Sequence, residues 1–152
     1  MDTISRERGF CMFAVNVEGL IIKDSKLLIG RRSLNEEHAG GKLSLIGGTV
    51  EKEGNSNDIL ENNLKREIME ETGLEVSNFK YVNNTSFVTQ SGINVINIVF
   101  SCEWVSGDAV VKDRDEISEL IWMTFDEVIN NKNSPFYLVN SVKIAKQDKI
   151  LK

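Results

Sequence analysis

Cysteine and proline are scarce in this sequence of 152 residues. The only proline is Pro135, and no linker, internal repeat or low-complexity segment divides the chain, so we expect one domain over residues 1–152. The two cysteines, Cys11 and Cys102, lie in apolar stretches and form no CxxC pair, which argues against a disulfide framework or a zinc site. Both are expected to be reduced core residues of a cytoplasmic protein.

Long apolar runs are also missing, as is any excess of positive charge. No apolar stretch approaches the roughly 20 residues that span a bilayer, and the charged segment 1–10 does not resemble a signal peptide, so we expect no membrane association. The net charge of −5 argues against broad electrostatic binding to nucleic acid. An acidic protein that handles phosphorylated molecules needs local positive charge, and a bound metal ion is one source.

The apolar pattern predicts strands on both sides of one strong helix. This helix is expected at residues 58–72, with Gly73 where a helix usually ends. Residues 124–127 match a capping box, and the segment after Pro135 is expected to be an amphipathic helix. The predicted strands are 10–17, 20–22, 26–29, 42–46, 81–89, 94–104 and 119–123, with a hairpin turn at 23–25. This order indicates a mixed α/β sandwich.

Three glutamates lie close together on the predicted helix. At about 100° per residue, Glu70 lies about 60° to one side of Glu67, and Glu71 lies about 40° to the other. Leu64 and Ile68 share the side of Glu71, so this carboxylate falls on the face that should meet the core. A solvated acidic face would point away from the core.

Carboxylates placed in this way need positive charge nearby. Two of them about 6 Å apart repel by roughly 3 kcal/mol at an effective dielectric near 20, so partial burial either raises their pKa values or attracts a cation. Arg66 can pair with one carboxylate, and a divalent ion would compensate the others; hard oxygen ligands select Mg²⁺ or Mn²⁺. The alternative is a glutamate-rich helix whose acids are merely solvated.

The stretch REIMEETGL at residues 66–74 resembles the signature of the Nudix hydrolases, whose core is R-E-h-x-E-E-x-G-h, where h is an apolar residue and x is any residue. Gly47 and Gly48 upstream and the segment 121–127 resemble other parts of that family. The resemblance implies an α/β/α sandwich around a mixed sheet. It also implies a metal-dependent pyrophosphohydrolase, acting on acid anhydrides, that cleaves a nucleoside diphosphate derivative or nucleoside triphosphate by water attack on phosphorus.

The chain departs from the family pattern at three places. Gly48 and Arg66 are 18 positions apart, about four more than is usual, and we expect the extra residues in a loop at 53–57, where insertions cost little. Asp58 stands where the family usually has glutamate, and it is expected to cap the helix. Ile46 replaces the proline that commonly precedes the glycine pair.

The resemblance also implies roles for residues of the signature. Arg66 would orient a glutamate through a charge-assisted hydrogen bond, with a surface ion pair as the alternative interpretation. The implied ligands of Mg²⁺ or Mn²⁺ are Glu67, Glu70, Glu71 and the Gly47 carbonyl.

The general base is open between three acids. Glu70 in the signature is one candidate, and Glu116 and Glu119, near the strand predicted at 119–123, are the others; an ordinary exposed acid is the competing interpretation for these two. His38 is the only histidine, and its acidic neighbours indicate an exposed loop instead of a catalytic position.

Several other side chains are weaker candidates. Four cations could reach substrate phosphates, although solvated charges at strand ends are more common: Arg8, Arg31, Arg32 and Lys42. Four aromatic residues could stack on a base, although most are expected in the core: Phe87, Phe100, Trp104 and Trp122.

Two other functions fit the sequence less well. A catalytically silent Nudix-like module that binds a nucleotide metabolite and regulates a partner could lose signature glutamates without penalty, yet all of them are present. Diphosphate isomerase chemistry would need further acid/base groups, for which Cys11 and Cys102 are poorly placed. The absence of a zinc ribbon disfavours an NADH-pyrophosphatase arrangement. The expected partner is a small-molecule nucleotide, and a homodimer is expected only by analogy with the family.

Overall fold

The computed structural model describes residues 11–36 and 39–148, and within them the chain forms a mixed seven-stranded sheet. The strands are β1 (Phe13–Lys23), β2 (Lys26–Arg32), β3 (Leu43–Ser44), β4 (Ile46–Thr49), β5 (Glu75–Val88), β6 (Asn94–Ser106) and β7 (Ile117–Thr124). The helices are α1 (Ile59–Thr72), α2 (Phe125–Asn130) and α3 (Phe136–Gln147). The strand order is β3-β2-β1-β6-β5, with β4 paired to β1 and β7 paired to β2.

The sheet is arranged around β1, which pairs with three other strands. It runs parallel to β6 and antiparallel to β2 and β4. Its connection to β2 confirms the predicted hairpin, because Asp24 and Ser25 adopt φ values of 51° and 63°, the left-handed conformation that a two-residue hairpin turn requires. In the pairing with β4, Glu18 is opposite Gly47. The glycine pair is therefore held beside the middle of β1.

The two faces of the sheet pack against different helices. On one face, Ile21 packs in a cluster with Leu64 and Ile68 of α1. Leu20, the adjacent residue, points to the opposite face and packs in a cluster with Leu138 of α3. The predicted α/β/α sandwich around a mixed sheet is confirmed.

The helix that carries the signature begins and ends almost as predicted. It runs from Ile59 to Thr72, and Gly73 ends it with φ 79° and a hydrogen bond from its N–H to the Met69 carbonyl. The predicted capping role of Asp58 is wrong. This residue has a left-handed φ of 56° and its side chain makes no capping hydrogen bond, whereas a capping side chain normally extends from β-region backbone. The capping box at 124–127 is confirmed.

Three strand predictions need correction. The strands predicted at 10–17 and 20–22 form one strand, β1, because Glu18 and Gly19 continue the pairing with β4 and β6; Phe10 lies outside the described residues. The strand predicted at 42–46 is divided into β3 and β4, and β4 continues through the glycine pair. Finally, β5 begins at Glu75 instead of 81, because register shifts against β6 break its alternating pattern.

The two cysteines have different environments. Cys102 is buried in the cluster against α1, as predicted, and burial raises the pKa of its thiol to about 12. Cys11 is exposed, two residues before β1 begins, so the prediction that it belongs to the core is wrong. Among the helices of the described residues, none combines the length and the apolar character needed to cross a membrane.

Candidate active site

Helix α1 presents the three signature glutamates in different environments. The Glu67 side chain is 16% exposed, whereas that of Glu70 is 58% exposed. Glu71, which the helical wheel predicted on the core-facing side, is partly buried, and its Oε2 atom is buried with no hydrogen-bond partner among the described residues. A buried oxygen without a donor is costly, so Glu71 needs either a proton or a cation.

Strand β4 brings the glycine pair against these glutamates, and neither glycine position has room for a side chain. A Cβ at Gly48 would lie 2.6 Å from Cδ of Glu67, and a Cβ at Gly47 would lie 2.0 Å from the carbonyl oxygen of Val17. Gly48 therefore allows the Glu67 carboxylate to lie against the backbone of β4. Gly47 allows β4 to lie close to β1.

Burial raises the pKa of two of these carboxyl groups. The pKa of Glu71 rises to about 8, first because the group is buried and then because Glu67 and Glu116 are negatively charged; a hydrogen bond from the Gly47 backbone opposes the rise. Burial also raises the pKa of Glu67, against the opposing charge of Arg66. Without a cation, Glu71 therefore retains a proton near neutral pH.

Arg66 lies among glutamates, as predicted. Its Nη1 is 3.3 Å from the Glu70 carboxylate and 3.4 Å from that of Glu67, and its Nη2 is 3.7 Å from the Glu51 carboxylate. A single guanidinium is thus shared by three carboxylates. Arg66 and these three carboxylates together therefore carry a net negative charge.

Asn63 holds Arg66 in place, and the sequence analysis missed it. The side chain is completely buried, and its Oδ1 accepts hydrogen bonds from Arg66 Nη2 and from the Glu51 backbone N–H, each 2.8 Å long. Its Nδ2 donates to the Ile59 carbonyl at 2.9 Å and to the Glu53 carboxylate at 3.3 Å. The amide therefore ties the loop before α1 to the helix. The available signal was a polar residue at a core-facing helix position, one turn before Arg66.

The signature glutamates and the glycine pair line one cleft of about 550 Å³, a volume that accommodates a nucleotide, whereas Arg66 and Asn63 are not among the described residues that line it. Carboxylates dominate its lining among the described residues. The acidic side chains are Glu18, Glu36, Glu67, Glu70, Glu71, Asp113 and Glu116, and the basic ones are Arg32 and Lys112. Because the negative potentials of these carboxylates add within the cleft, an anionic phosphate chain needs additional positive charge to enter.

A family model described as the NUDIX domain matches residues 12–140. The chain belongs to the Nudix family. The family predicted from the signature is confirmed.

Comparison with known proteins gives relatives of two kinds. The NAD-capped RNA hydrolase NudC of Shigella flexneri is 29% identical over 123 residues, which cover 81% of this chain and 44% of that protein. The chain thus spans less than half the length of this curated relative. Two solved structures share the fold: a MutT protein from Methanosarcina mazei Go1 (24% identity, TM-score 0.72, 91% of this chain and 97% of that one) and a MutT NUDIX hydrolase from Burkholderia pseudomallei (20% identity, TM-score 0.73, 87% and 97%).

The Nudix cleft contains one of the two candidate bases that lie outside the signature. Glu116 lines the cleft, just before β7. Glu119 lies within β7, where its Oε1 is 2.7 Å from Nε of Arg31, and it is not among the described residues that line the cleft. Glu70 and Glu116 therefore line the same cleft, whereas Glu119 forms an ion pair with Arg31.

Of the candidate cations that could reach substrate phosphates, only some lie near the cleft. Arg32 lines the cleft and pairs with Glu36 at 3.3 Å. Arg31 pairs with Glu119, and Lys42 is exposed and is not among the described residues that line the cleft. The remaining candidate, Arg8, and the histidine at position 38 lie outside the described residues.

The signature glutamates do not converge on a single point. Within the described residues, no three Asp, Glu, Cys or His side chains are close enough together to hold a metal ion, and Glu70 turns toward Arg66. Ligation by Glu67, Glu70 and Glu71 together with Gly47 therefore stays a prediction. A change of side-chain rotamer at the exposed Glu70 would redirect its carboxylate without any movement of the backbone.

Of the four aromatic residues that could stack on a base, Phe87 has the most exposed side chain. Its side chain is 45% exposed, whereas Phe100 is buried, as expected for a core residue. Trp104 and Trp122 are half-buried, and Nζ of Lys23 lies 4.0 Å and 5.9 Å from the centroids of their rings. These two tryptophans are therefore occupied by a cation–π contact.

The cleft also contains residues that the sequence analysis did not select. Asn16 and Glu18 come from β1, and Lys112 and Asp113 come from the loop before β7. The first two are polar positions inside the apolar run of β1, so a signal was available. The latter two belong to a loop of mixed charge, in which no pattern distinguishes a ligand-binding residue from a solvated one.

Proposed function

We propose that this Nudix chain hydrolyses a phosphoanhydride bond in a nucleoside diphosphate derivative or nucleoside triphosphate, with Mg²⁺ or Mn²⁺ held by the signature glutamates. The observation that carries the proposal is the buried Oε2 of Glu71, which has no partner among the described residues and lies beside Glu67. A merely solvated glutamate-rich helix gives no reason for a carboxylate to be buried where no donor reaches it.

The donor set fits a hard divalent cation. Glu67, Glu70 and Glu71 would supply carboxylate oxygens, and Gly47 would supply a backbone carbonyl, all of them ligand types that Mg²⁺ and Mn²⁺ prefer. Gly48 supports the fit, because the Glu67 carboxylate occupies the space that a Cβ would fill. The bound ion would supply the positive charge that the phosphate oxygens require during hydrolysis.

The side chains of the cleft would position the reactants. Glu70 and Glu116 are the acids best placed to accept the proton of the attacking water. Arg66 restrains Glu70 through a contact of 3.3 Å and would act as a positioning residue. Lys112 and Arg32 would donate to the phosphate oxygens of the substrate.

A substrate panel tests this proposal. Nucleoside triphosphates, sugar nucleotides and dinucleotides are assayed with Mg²⁺ or Mn²⁺ for released phosphate or pyrophosphate and for the nucleotide product, and we expect turnover that EDTA abolishes. The variant Glu70→Gln should lower kcat at least about 100-fold with unchanged thermal unfolding, because a metal ligand or base is lost while the fold is kept. The matched control is Glu61→Gln, in the first turn of the same helix and away from the cleft lining.

Two results would argue against the proposal. Near-normal turnover in Glu70→Gln would refute the role of Glu70. Binding of nucleotides without turnover, across the whole panel and with both metals, would favour the regulatory module instead.

A further inference from the structure

The hairpin of β5 and β6 has an exposed end that carries no charge. From Tyr81 to Cys102 the chain has no Asp, Glu, Lys or Arg, although 27% of all its residues are charged. In β6, a central strand, this is expected. Residues 84–93, however, which form the end of β5 and the turn into β6, are exposed except for the half-buried Thr89. A well-solvated surface carries about 25–35% charged residues, so this segment does not have the composition of an ordinary solvent-exposed turn.

Four large apolar side chains are exposed on the same uncharged segment. Each is between 45% and 63% exposed: Tyr81, Phe87, Val88 and Ile93. We call these four residues the hairpin patch. Together they expose roughly 400 Å², within the range of the largest apolar patch on a typical monomer, which is often functional. Protein–protein interfaces combine the same two features, because their centres are depleted of charged residues and enriched in aromatic ones.

Strand β5 is also an open edge of the sheet. It stands last in the order β3-β2-β1-β6-β5 and, among the described residues, pairs with β6 alone. An edge strand presents unpaired backbone N–H and C=O groups, which bulges, lysine or proline normally protect. The first half of β5 has such protection, since its register against β6 shifts three times before Asn83 and Lys80 is exposed. Residues 84–88 pair regularly with β6 and have none of these features.

A second copy of the chain complements this edge. Two identical edges related by a two-fold axis pair antiparallel, and each donates and accepts the same backbone hydrogen bonds. With the axis at Ser86 or Phe87, every cross-strand pair is uncharged, so no like charges meet. The two Phe87 rings are then diagonal or directly opposite on one face of the joined sheet, within reach of each other.

Area and charge favour this occupant over a membrane. A stable interface buries about 800 Å² on each partner, which the hairpin patch and the exposed polar residues of 84–91 can supply together. Lipid tails cannot hydrogen-bond to the open backbone of β5, and the net charge of −5 opposes binding to anionic lipid surfaces.

We propose that residues 84–88 of β5 form a homodimer interface, in which two copies join their sheets through antiparallel β5–β5 pairing. The inference is independent of the proposed function, because none of these residues lines the hydrolytic cleft.

Analytical ultracentrifugation of the full chain tests the proposal. From about 1 to 100 µM we expect a monomer–dimer equilibrium, since a micromolar Kd is within the range of interfaces of this size. Ser86→Lys places a charge on the open edge and should weaken the dimer at least about tenfold. The matched control is Ser77→Lys, at an exposed serine in the irregular half of β5, which should leave the dimer unchanged.

A second pair of variants tests the apolar contact. Phe87→Ser should also weaken the dimer at least about tenfold, whereas Phe136→Ser, at a phenylalanine of α3 that is 84% exposed, should not. Thermal unfolding of every variant shows whether the fold is kept.

Cross-linking locates the contact. In a Cys11→Ser background, Ser86→Cys should be joined between copies by a short bismaleimide. Ser77→Cys should not, because the two positions 77 would lie roughly 60 Å apart along the paired strands.

Four results would overturn the proposal. The first is a chain that stays monomeric over the whole concentration range. The second is a dimer that neither Ser86→Lys nor Phe87→Ser weakens, since its interface would lie elsewhere. The third is open-ended association in place of a closed dimer. The fourth is a monomer that binds uncharged lipid vesicles through Phe87, which would assign the hairpin patch to a membrane surface.

Discussion

Glu71 titrates well outside the range of an ordinary glutamate, since its pKa in the folded protein is about 8 against 4.5. The folded state therefore binds this proton more tightly than the unfolded chain. The contribution of Glu71 to stability is fully present below about pH 4.5, decreases as the pH rises toward 8 and is lost above it. We expect the melting temperature of the metal-free protein to fall over that range, and Glu71→Gln to remove most of the fall.

The measurement is thermal unfolding in EDTA at a series of pH values, with Glu61→Gln as the control that keeps the fall. Each kcal/mol of stability corresponds to about 2–4 °C in a domain of this size, so the effect is within reach of fluorimetry or circular dichroism. At pH 7, binding of Mg²⁺ should also release up to about one proton, visible by calorimetry in buffers of different ionisation enthalpy. An unchanged pH slope in Glu71→Gln would contradict the assigned pKa.

At the scale of secondary-structure elements, α1 could be predicted to within one residue because its signals are local. Leu64 and Ile68 recur at helical spacing, and Gly73 ends the helix. The glutamates and Arg66 are brought together by this one element, so half of the candidate site was predictable. The other half was not, because Asn16 and Asn97 are 81 residues apart and meet only through the parallel pairing of β1 and β6. No pattern within one segment reports that register.

The two glycines of β4 should respond differently to replacement by alanine. A methyl group at Gly48 meets the flexible end of Glu67, whereas one at Gly47 meets the backbone of β1 at 2.0 Å. Gly48→Ala should therefore fold with little loss of stability and displace the Glu67 carboxylate, which lowers kcat at least about 100-fold. Gly47→Ala should lose about 3 kcal/mol or more, because backbone must move.

Melting temperature and activity, measured on both variants, check this contrast, and each variant is the control for the other. A Gly48→Ala protein with full activity would show that the position of Glu67 against β4 is unimportant. A Gly47→Ala protein as stable as the wild type would show that β4 does not depend on close contact with β1.

At the scale of the whole molecule, the sheet separates two apolar clusters. The two thiols differ in their relation to these clusters. Cys102 lies in the cluster between the sheet and α1, together with Leu64 and Ile68. Its side chain is enclosed, and burial raises the pKa of the thiol to about 12. Cys11 is exposed. Because the thiolate is the reactive form and must be reached by reagent, the two sites should differ greatly in rate.

We expect Ellman's reagent to modify Cys11 at once and Cys102 at least about 1,000-fold more slowly, through opening of the layer between the sheet and α1. Cys11→Ser should retain only the slow phase, and Cys102→Ala should retain only the fast phase. Mg²⁺ should slow the reaction of Cys102 and leave that of Cys11 unchanged, because an ion that binds the folded state at the α1 glutamates suppresses opening by mass action. Equal rates for the two thiols would mean that α1 does not stay packed on the sheet in solution, and the site that α1 forms with β4 would then lack its support.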